Sequence, residues 1–351
     1  METEQVLRQC VQAGASDIFL VAGATLSYRK NGTIMIEQGE KLKPADTEHL
    51  IRGIYTLADN RDISRLMTAG DDDFSFAMPG LSRFRVSAYK QRGSLSAVIR
   101  VVAFVLPDPS ALGIPDSVIR TGMQPHGMVL VTGPAGSGKS TTLACIINAI
   151  NESRRSHIIT LEDPIEFLHR HKNSIVSQRE INVDTESYVM ALRAALRQSP
   201  DVILLGEMRD YETISVAMTA AETGHLVFST LHTIGASNTI NRIIDVFPAD
   251  QQRQIAVQLS TVLMTVISQQ LVPSTDGGRV PAFEIMTLNP AIRNMVRDNK
   301  VYQIDGVLYG SAQENMISMD NSLLALYRQG RITKETALAY SENPEMMGRK
   351  L

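Results

Sequence analysis

Cysteine, net charge and long apolar runs are all scarce in this sequence, and each scarcity removes a class of function. The only cysteines are Cys10 and Cys145, far apart and without a Cys-x-x-Cys pair. That excludes a cysteine-rich zinc site and a disulfide framework, and it fits a reducing cytoplasm. Cys145 sits in an apolar helical stretch and reads as a small buried residue rather than a redox sensor. Lys and Arg total 34 against 37 for Asp and Glu. A dedicated nucleic-acid binder carries a clear basic excess, so no nucleic-acid partner is expected. No apolar run approaches the roughly 18 residues of a membrane span. The opening Met1-Glu2-Thr3-Glu4 lacks the basic-then-apolar pattern of a signal peptide. Any membrane contact is therefore expected to be peripheral or through a partner.

What is present is an ordinary globular composition, 44% hydrophobic and 20% charged over 351 residues, enough for two domains. The first hundred residues read as mixed α/β. Helical spacing covers 4–13, 47–57 and 63–69, and strand-like runs cover 18–21, 26–29, 74–76, 83–89 and 96–102. Asn31-Gly32 between Tyr28-Arg29-Lys30 and Thr33-Ile34-Met35 signals a two-residue hairpin loop. Pro107, Pro109, Gly113 and Pro115 then crowd one short stretch, which cannot continue a helix or a central strand. A linker is placed at 106–116, between a domain over 1–105 and one over 117–351. The second domain alternates strand and helix as α/β folds do. Strands are expected at 128–131, 157–161, 202–205 and 226–230, with helices at 139–151, 186–198 and 211–223. From 249 onward the chain reads as mostly helical. One helix is expected over 252–267, striped by Ile255, Leu259, Val262, Leu263 and Val266 and facing a core.

The chemistry concentrates in the second domain. Gly133-Pro134-Ala135-Gly136-Ser137-Gly138-Lys139-Ser140 fits Gly-x4-Gly-Lys-[Ser/Thr], and Thr141 follows it. Glycines let such a loop turn backbone N–H groups inward as an anion nest, and the helix behind presents its positive end. Lys139 can reach β- and γ-phosphates, and Ser140 can ligate Mg²⁺. The apolar run 128–131 before the loop and the helix after it supply the context that the motif requires.

A nucleotide site also needs carboxylates, and ligands of open parallel sheets lie at the strands' carboxyl ends. Two acidic signals fall there. The run 202–205 leads to Glu207, and the run 157–161 leads to Glu162-Asp163-Pro164-Ile165-Glu166, stiffened by Pro164. His225 and His232 flank the strand at 226–230, with His232 just past its carboxyl end.

The phosphate loop, the stretch 160–166, Gly206-Glu207-Met208-Arg209-Asp210 and the stretch 223–233 stand in a fixed order. That order resembles the secretion ATPases of type II secretion and type IV pili, where these are the Walker A, Asp, Walker B and His boxes. Within that group the chain is similar to the pilus retraction ATPases of the PilT family. It has no large N-terminal extension and no tetracysteine motif. Ala291-Ile292-Arg293-Asn294-Met295-Val296-Arg297 is close to the motif associated with retraction. Departures include Phe19 at a position where the family often has histidine, and Asp298 where the motif ends in glutamate. The resemblance covers nearly the whole chain.

The resemblance implies an N-terminal PAS-like α/β domain and a C-terminal RecA-like P-loop ATPase domain with a helical C-terminal region. It implies ATP and Mg²⁺ as cofactors, bound by residues 133–141. Glu166 would be the general base, and Glu207 would support Mg²⁺, partly through water. His232 would sense the γ-phosphate. Arg85 and Arg100, with Arg83 and Arg92 as further candidates, would complete the site. It further implies a cytoplasmic homohexamer at the inner-membrane face of the pilus base. There it would work on a platform protein, with a paralogous retraction ATPase as a further partner. The function implied is pilus retraction; the alternatives are a PilU-like accessory role, or pilus assembly or type II secretion.

Overall fold

The computed structural model describes residues 2–30, 32–102, 106–310 and 316–351. The chain divides into two compact units, one of Met1–Val105 with Glu166–Leu168 and one of Leu106–Ile165 with His169–Leu351.

The first unit is a six-stranded antiparallel sheet with helices α1 (Thr3–Gln12), α2 (Pro44–Leu57) and α3 (Ser64–Ala69). Its strands are β1 (Asp17–Leu20), β2 (Ser27–Lys30), β3 (Thr33–Ile36), β4 (Asp71–Met78), β5 (Ser82–Gln91) and β6 (Ser94–Val102). They lie in the order β3-β2-β1-β6-β5-β4. Strand β5 shows why one face is covered: Phe84, Val86 and Ala88 are buried while Arg85 and Ser87 between them are exposed. The buried face packs with Leu7, Leu50, Ile51 and Ile54 of the helices. β2 and β3 pair with Lys30 opposite Thr33, so the loop between them has the two-residue length read from the sequence. Asn31, the first residue of that loop, lies outside the described residues.

The second unit is built on β7 (Gly127–Thr132), β8 (His157–Glu162), β9 (Ile175–Glu180), β10 (Val202–Leu205), β11 (Leu226–Leu231), β12 (Leu263–Pro273) and β13 (Arg279–Thr287). Their order is β13-β12-β7-β11-β10-β8-β9. All neighbours are parallel except the edge pair β12–β13. Helix α4 (Asp116–Ile119) precedes them, and α5 (Lys139–Ser153), α6 (Tyr188–Ala195), α7 (Tyr211–Glu222), α8 (Ala236–Asp245) and α9 (Gln252–Val262) lie between them in the chain. The remaining helices are α10 (Pro290–Arg297), α11 (Ile304–Gly310), α12 (Met319–Arg328), α13 (Lys334–Tyr340) and α14 (Pro344–Gly348). The central strands β7, β10 and β11 are buried at every position, as strands covered on both faces must be.

Two expectations are corrected. The helix read over 252–267 stops at Val262, and Leu263 opens strand β12 instead. The tail is therefore not mostly helical at first; it contributes two strands of the central sheet. The stretch 263–273 holds Thr265, Val266, Ile267 and Val272, β-branched residues that suit a strand. Its apolar spacing fitted a helix equally well over so short a run. Pairing with β7 and β13 decided between them. Strand β9 was not expected at all, because its Ser177, Gln178 and Arg179 give it a polar composition.

Cys145 is buried in the core between α5 and the sheet, and burial pushes its thiol up to about 11, as an inert cysteine requires.

Candidate functional site

The loop between β7 and α5 is shaped by its glycines. Gly133, Gly136 and Gly138 have φ values of 138°, 74° and 88°, which side-chain-bearing residues rarely adopt. Space is as tight as conformation at the two ends. A Cβ on Gly133 would lie 2.1 Å from the Gln269 carbonyl oxygen of β12, and one on Gly138 would lie 2.9 Å from Gln269 Nε2. Lys139 opens α5, and its Nζ donates to the carbonyls of Gly133 and Pro134 at 2.9 Å each. The ammonium is thus folded over the loop it follows. Pro134, Ala135, Gly136 and Ser140 are exposed, and Thr141 is half-buried. The Ser137 hydroxyl is buried without a hydrogen-bond partner.

The end of β10 brings two predicted residues together. Glu207, 14% exposed, pairs with Arg209 at 2.7 Å through Nη2 and faces His232 Nε2 at 3.5 Å. The Glu207 carboxylate raises the Arg209 pKa further, so this guanidinium stays charged. Thr230 Oγ1 donates to the Gly206 carbonyl at 2.6 Å, and Met208 N donates to the Thr230 carbonyl at 3.2 Å. These bonds stitch the ends of β10 and β11 and hold Glu207 and His232 side by side. His225, at the other end of β11, has its Nδ1 2.9 Å from the Ala220 carbonyl at the end of α7, a structural position.

At the end of β8, Glu162 accepts from Thr160 Oγ1 at 2.7 Å and from Gln178 Nε2 at 3.2 Å. Asp163-Pro164 is a cis peptide. Glu166 is exposed and groups with the first unit.

Sequence reasoning missed Tyr188, the first residue of α6. Its hydroxyl lies 2.7 Å from where a Cβ on Gly206 would be. Burial and the carboxylates of Glu207, Asp163 and Glu162 raise its pKa, so the phenol stays protonated among the acids. A half-buried aromatic at a helix start gives no such signal in sequence.

In the first unit, Arg85 and Arg100 stand directly opposite on β5 and β6, both exposed on the uncovered face. Arg100 Nε pairs with Asp17 at 3.1 Å, and Asp17 also meets Arg29 at 3.5 Å. Arg85, Arg100, Asp17 and Asp73 line a cavity of 280 Å³ on that face. Like charges placed directly opposite repel, and the Asp17 carboxylate paired with Arg100 offsets part of that repulsion. Of the further candidates, Arg83 is half-buried on β5, and Arg92 is exposed in the β5–β6 turn with φ 49°.

In the stretch 291–297, Ile292 and Val296 are buried. Arg293 Nη1 donates to the carbonyls of Ser260 and Thr261 at the end of α9. An arginine here satisfies free carbonyls at a helix C-terminus and locks α10 to α9.

A parallel sheet with a glycine loop between its strand and helix, closed by a lysine and flanked by strand-end carboxylates, defines the P-loop ATPase class. Residues 2–299 match the model of the type II/IV secretion system protein family. The chain belongs to that family. It is 42% identical over 345 residues to the type IV pilus retraction ATPase PilT of Pseudomonas aeruginosa, covering 98% of this chain and 99% of that one. To a twitching motility protein of Neisseria gonorrhoeae it is 51% identical over 276 residues, 78% of this chain and 74% of that one. Among solved structures, the pilus retraction motor PilT with bound ADP superposes with a TM-score of 0.91 at 45% identity, covering 99% of each chain. The fold is accordingly that of an N-terminal PAS-like unit and a C-terminal RecA-like ATPase unit.

Proposed function

We propose that this chain is an ATP hydrolase that powers retraction of type IV pili. The observation that carries this reading is its full-length likeness to PilT in both sequence and fold. The loop chemistry agrees with it: three glycines in left-handed or strained conformations, a lysine folded over them and a buried Ser137 hydroxyl without a partner make a cradle suited to phosphate oxygens.

In this reading residues 133–141 hold the phosphates, with Lys139 exchanging its two carbonyl acceptors for phosphate oxygens. Mg²⁺, when bound, would neutralise charge developing on the phosphates. Ser140 and Glu207 would hold it, Glu207 partly through water. Glu166 would take the proton of the attacking water, and His232, already beside Glu207, would sense the γ-phosphate. Arg85 and Arg100 would supply positive charge to the transition state. The protein would act as a homohexamer at the cytoplasmic face of the inner membrane, on a pilus platform protein and alongside a paralogous retraction ATPase.

Phosphate release from the purified protein tests the site. Lys139→Ala and Glu166→Gln are each expected to lower turnover by at least about 100-fold, the scale of losing a charge-stabilising or proton-accepting group. Wild-type turnover in both variants would sink the assignment.

A further inference from the structure

The strand behind the phosphate loop carries a residue out of keeping with its position. β12 lies parallel to β7 with Ser268 opposite Thr132, so Gln269 stands beside Gly133. Its side chain shares a face with Ile267, which packs in the apolar core with residues of α5. Binary patterning asks for an apolar residue there. Gln269 is instead an amide, 3% exposed. A buried amide persists only when its polar ends are used.

The two ends of Gln269 meet the loop and the helix that follows it. Oε1 accepts from Thr142 Oγ1 at 2.7 Å, and Thr142 is fully buried in the first turn of α5. With the acceptor end pinned, Nε2 is turned toward Gly138, 2.9 Å from the point a Cβ there would occupy. The backbone carbonyl of the same residue limits Gly133 at the other end of the loop. One residue therefore touches the first and last glycines of the loop and the helix that follows.

We propose that Gln269, held by Thr142, is a positioning residue that sets the shape of the phosphate loop and with it nucleotide affinity. It acts through the loop. A template that holds backbone N–H groups in place before the ligand arrives lowers the cost of binding. This inference rests on reading residues 133–141 as the nucleotide site.

The test compares Gln269→Met, which keeps the volume and removes the amide, with Thr142→Val and with the double variant. The readouts are MgADP affinity by calorimetry, KM and kcat for ATP, and thermal melting. Each single variant is expected to weaken MgADP binding and raise KM about tenfold, with kcat at saturation within about twofold, because a group that shapes binding acts equally on ground and transition states. The double variant is expected to lose no more than the weaker single, since the two residues act as one unit. A general loss of packing would instead lower the melting temperature and the active fraction while leaving KM in place. Folded Gln269→Met with MgADP affinity within twofold of wild type overturns the proposal, as do additive losses in the double variant. Should Gln269→Met not fold, Gln269→Glu decides: it keeps an acceptor for Thr142 but turns a carboxylate on the loop. It is expected to bind MgADP at least tenfold more weakly, and unchanged affinity overturns the proposal. Lys139→Ala is the control. Wild-type MgADP binding in that variant means that the loop is not the nucleotide site. Loss there with retention in the Gln269 variants defeats the positioning role alone.

Discussion

At the scale of single residues, the site depends on atoms that are missing as much as on those present. Gly133 combines φ 138° with a carbonyl oxygen 2.1 Å from any added Cβ. Gly133→Ala must therefore either distort the loop or push β12 away. The expected cost is about 1–3 kcal/mol of stability, together with loss of measurable MgADP binding by calorimetry. Gly133→Ala with wild-type affinity would mean that the loop can open without cost. Glu207 poses the opposite case, a charge already in use. It is bonded to Arg209 and faces His232. Glu207→Gln keeps the shape and removes the charge. Turnover is expected to fall at least about 100-fold and MgADP to bind more weakly, as the loss of a carboxylate that would help hold Mg²⁺ requires. A rise in KM at constant kcat would assign Glu207 to ground-state binding instead.

At the scale of elements, the C-terminal helices meet the sheet through carboxyl groups. Glu284 of β13 accepts from Ala236 N at 2.7 Å and Met319 N at 3.4 Å, the first residues of α8 and α12. Burial raises its pKa. Glu342, between α13 and α14, turns its carboxyl toward the same point, both acids lying within 4 Å of a Cβ built on Gly235. Burial, with Glu284, Asp305 and Asp320 nearby, pushes Glu342 up to about 8. The folded chain thus keeps a proton on Glu342 that the unfolded chain releases above its ordinary value of 4.5. Glu342's own contribution to the docking of the last helices is accordingly greatest below pH 4.5, weakens as pH rises, and levels off above about 8. Glu342 also reaches solvent, so the effect is modest. Glu342→Gln should flatten the dependence of melting temperature on pH between 5 and 8, by about 2–4 °C. Parallel curves for the two proteins would remove the Glu342 proton from the account.

At the scale of the whole molecule, the full-length likeness to PilT makes direction of work the question that matters. Cells lacking this gene are expected to carry more surface pili than wild type and to lose twitching. Bald cells would instead assign the protein to assembly. Among the described residues no helix is long and apolar enough to cross a membrane.

The sequence by itself determined the glycine loop, the strand before it and the helix after it, and the placing of Glu207 and His232 at strand ends. These features are local: glycine spacing, one lysine and apolar runs of strand length carry their meaning without reference to distant residues. Tertiary structure decided the rest. The stretch 263–273 could have continued a helix, and only its place between β7 and β13 made it a strand. That pairing is also what put Gln269 behind the loop, 127 residues from the Thr142 it bonds. Tyr188, Arg293 and Glu342 are in the same position. Each draws its role from a partner brought near by packing, and no pattern along the chain records that distance in space.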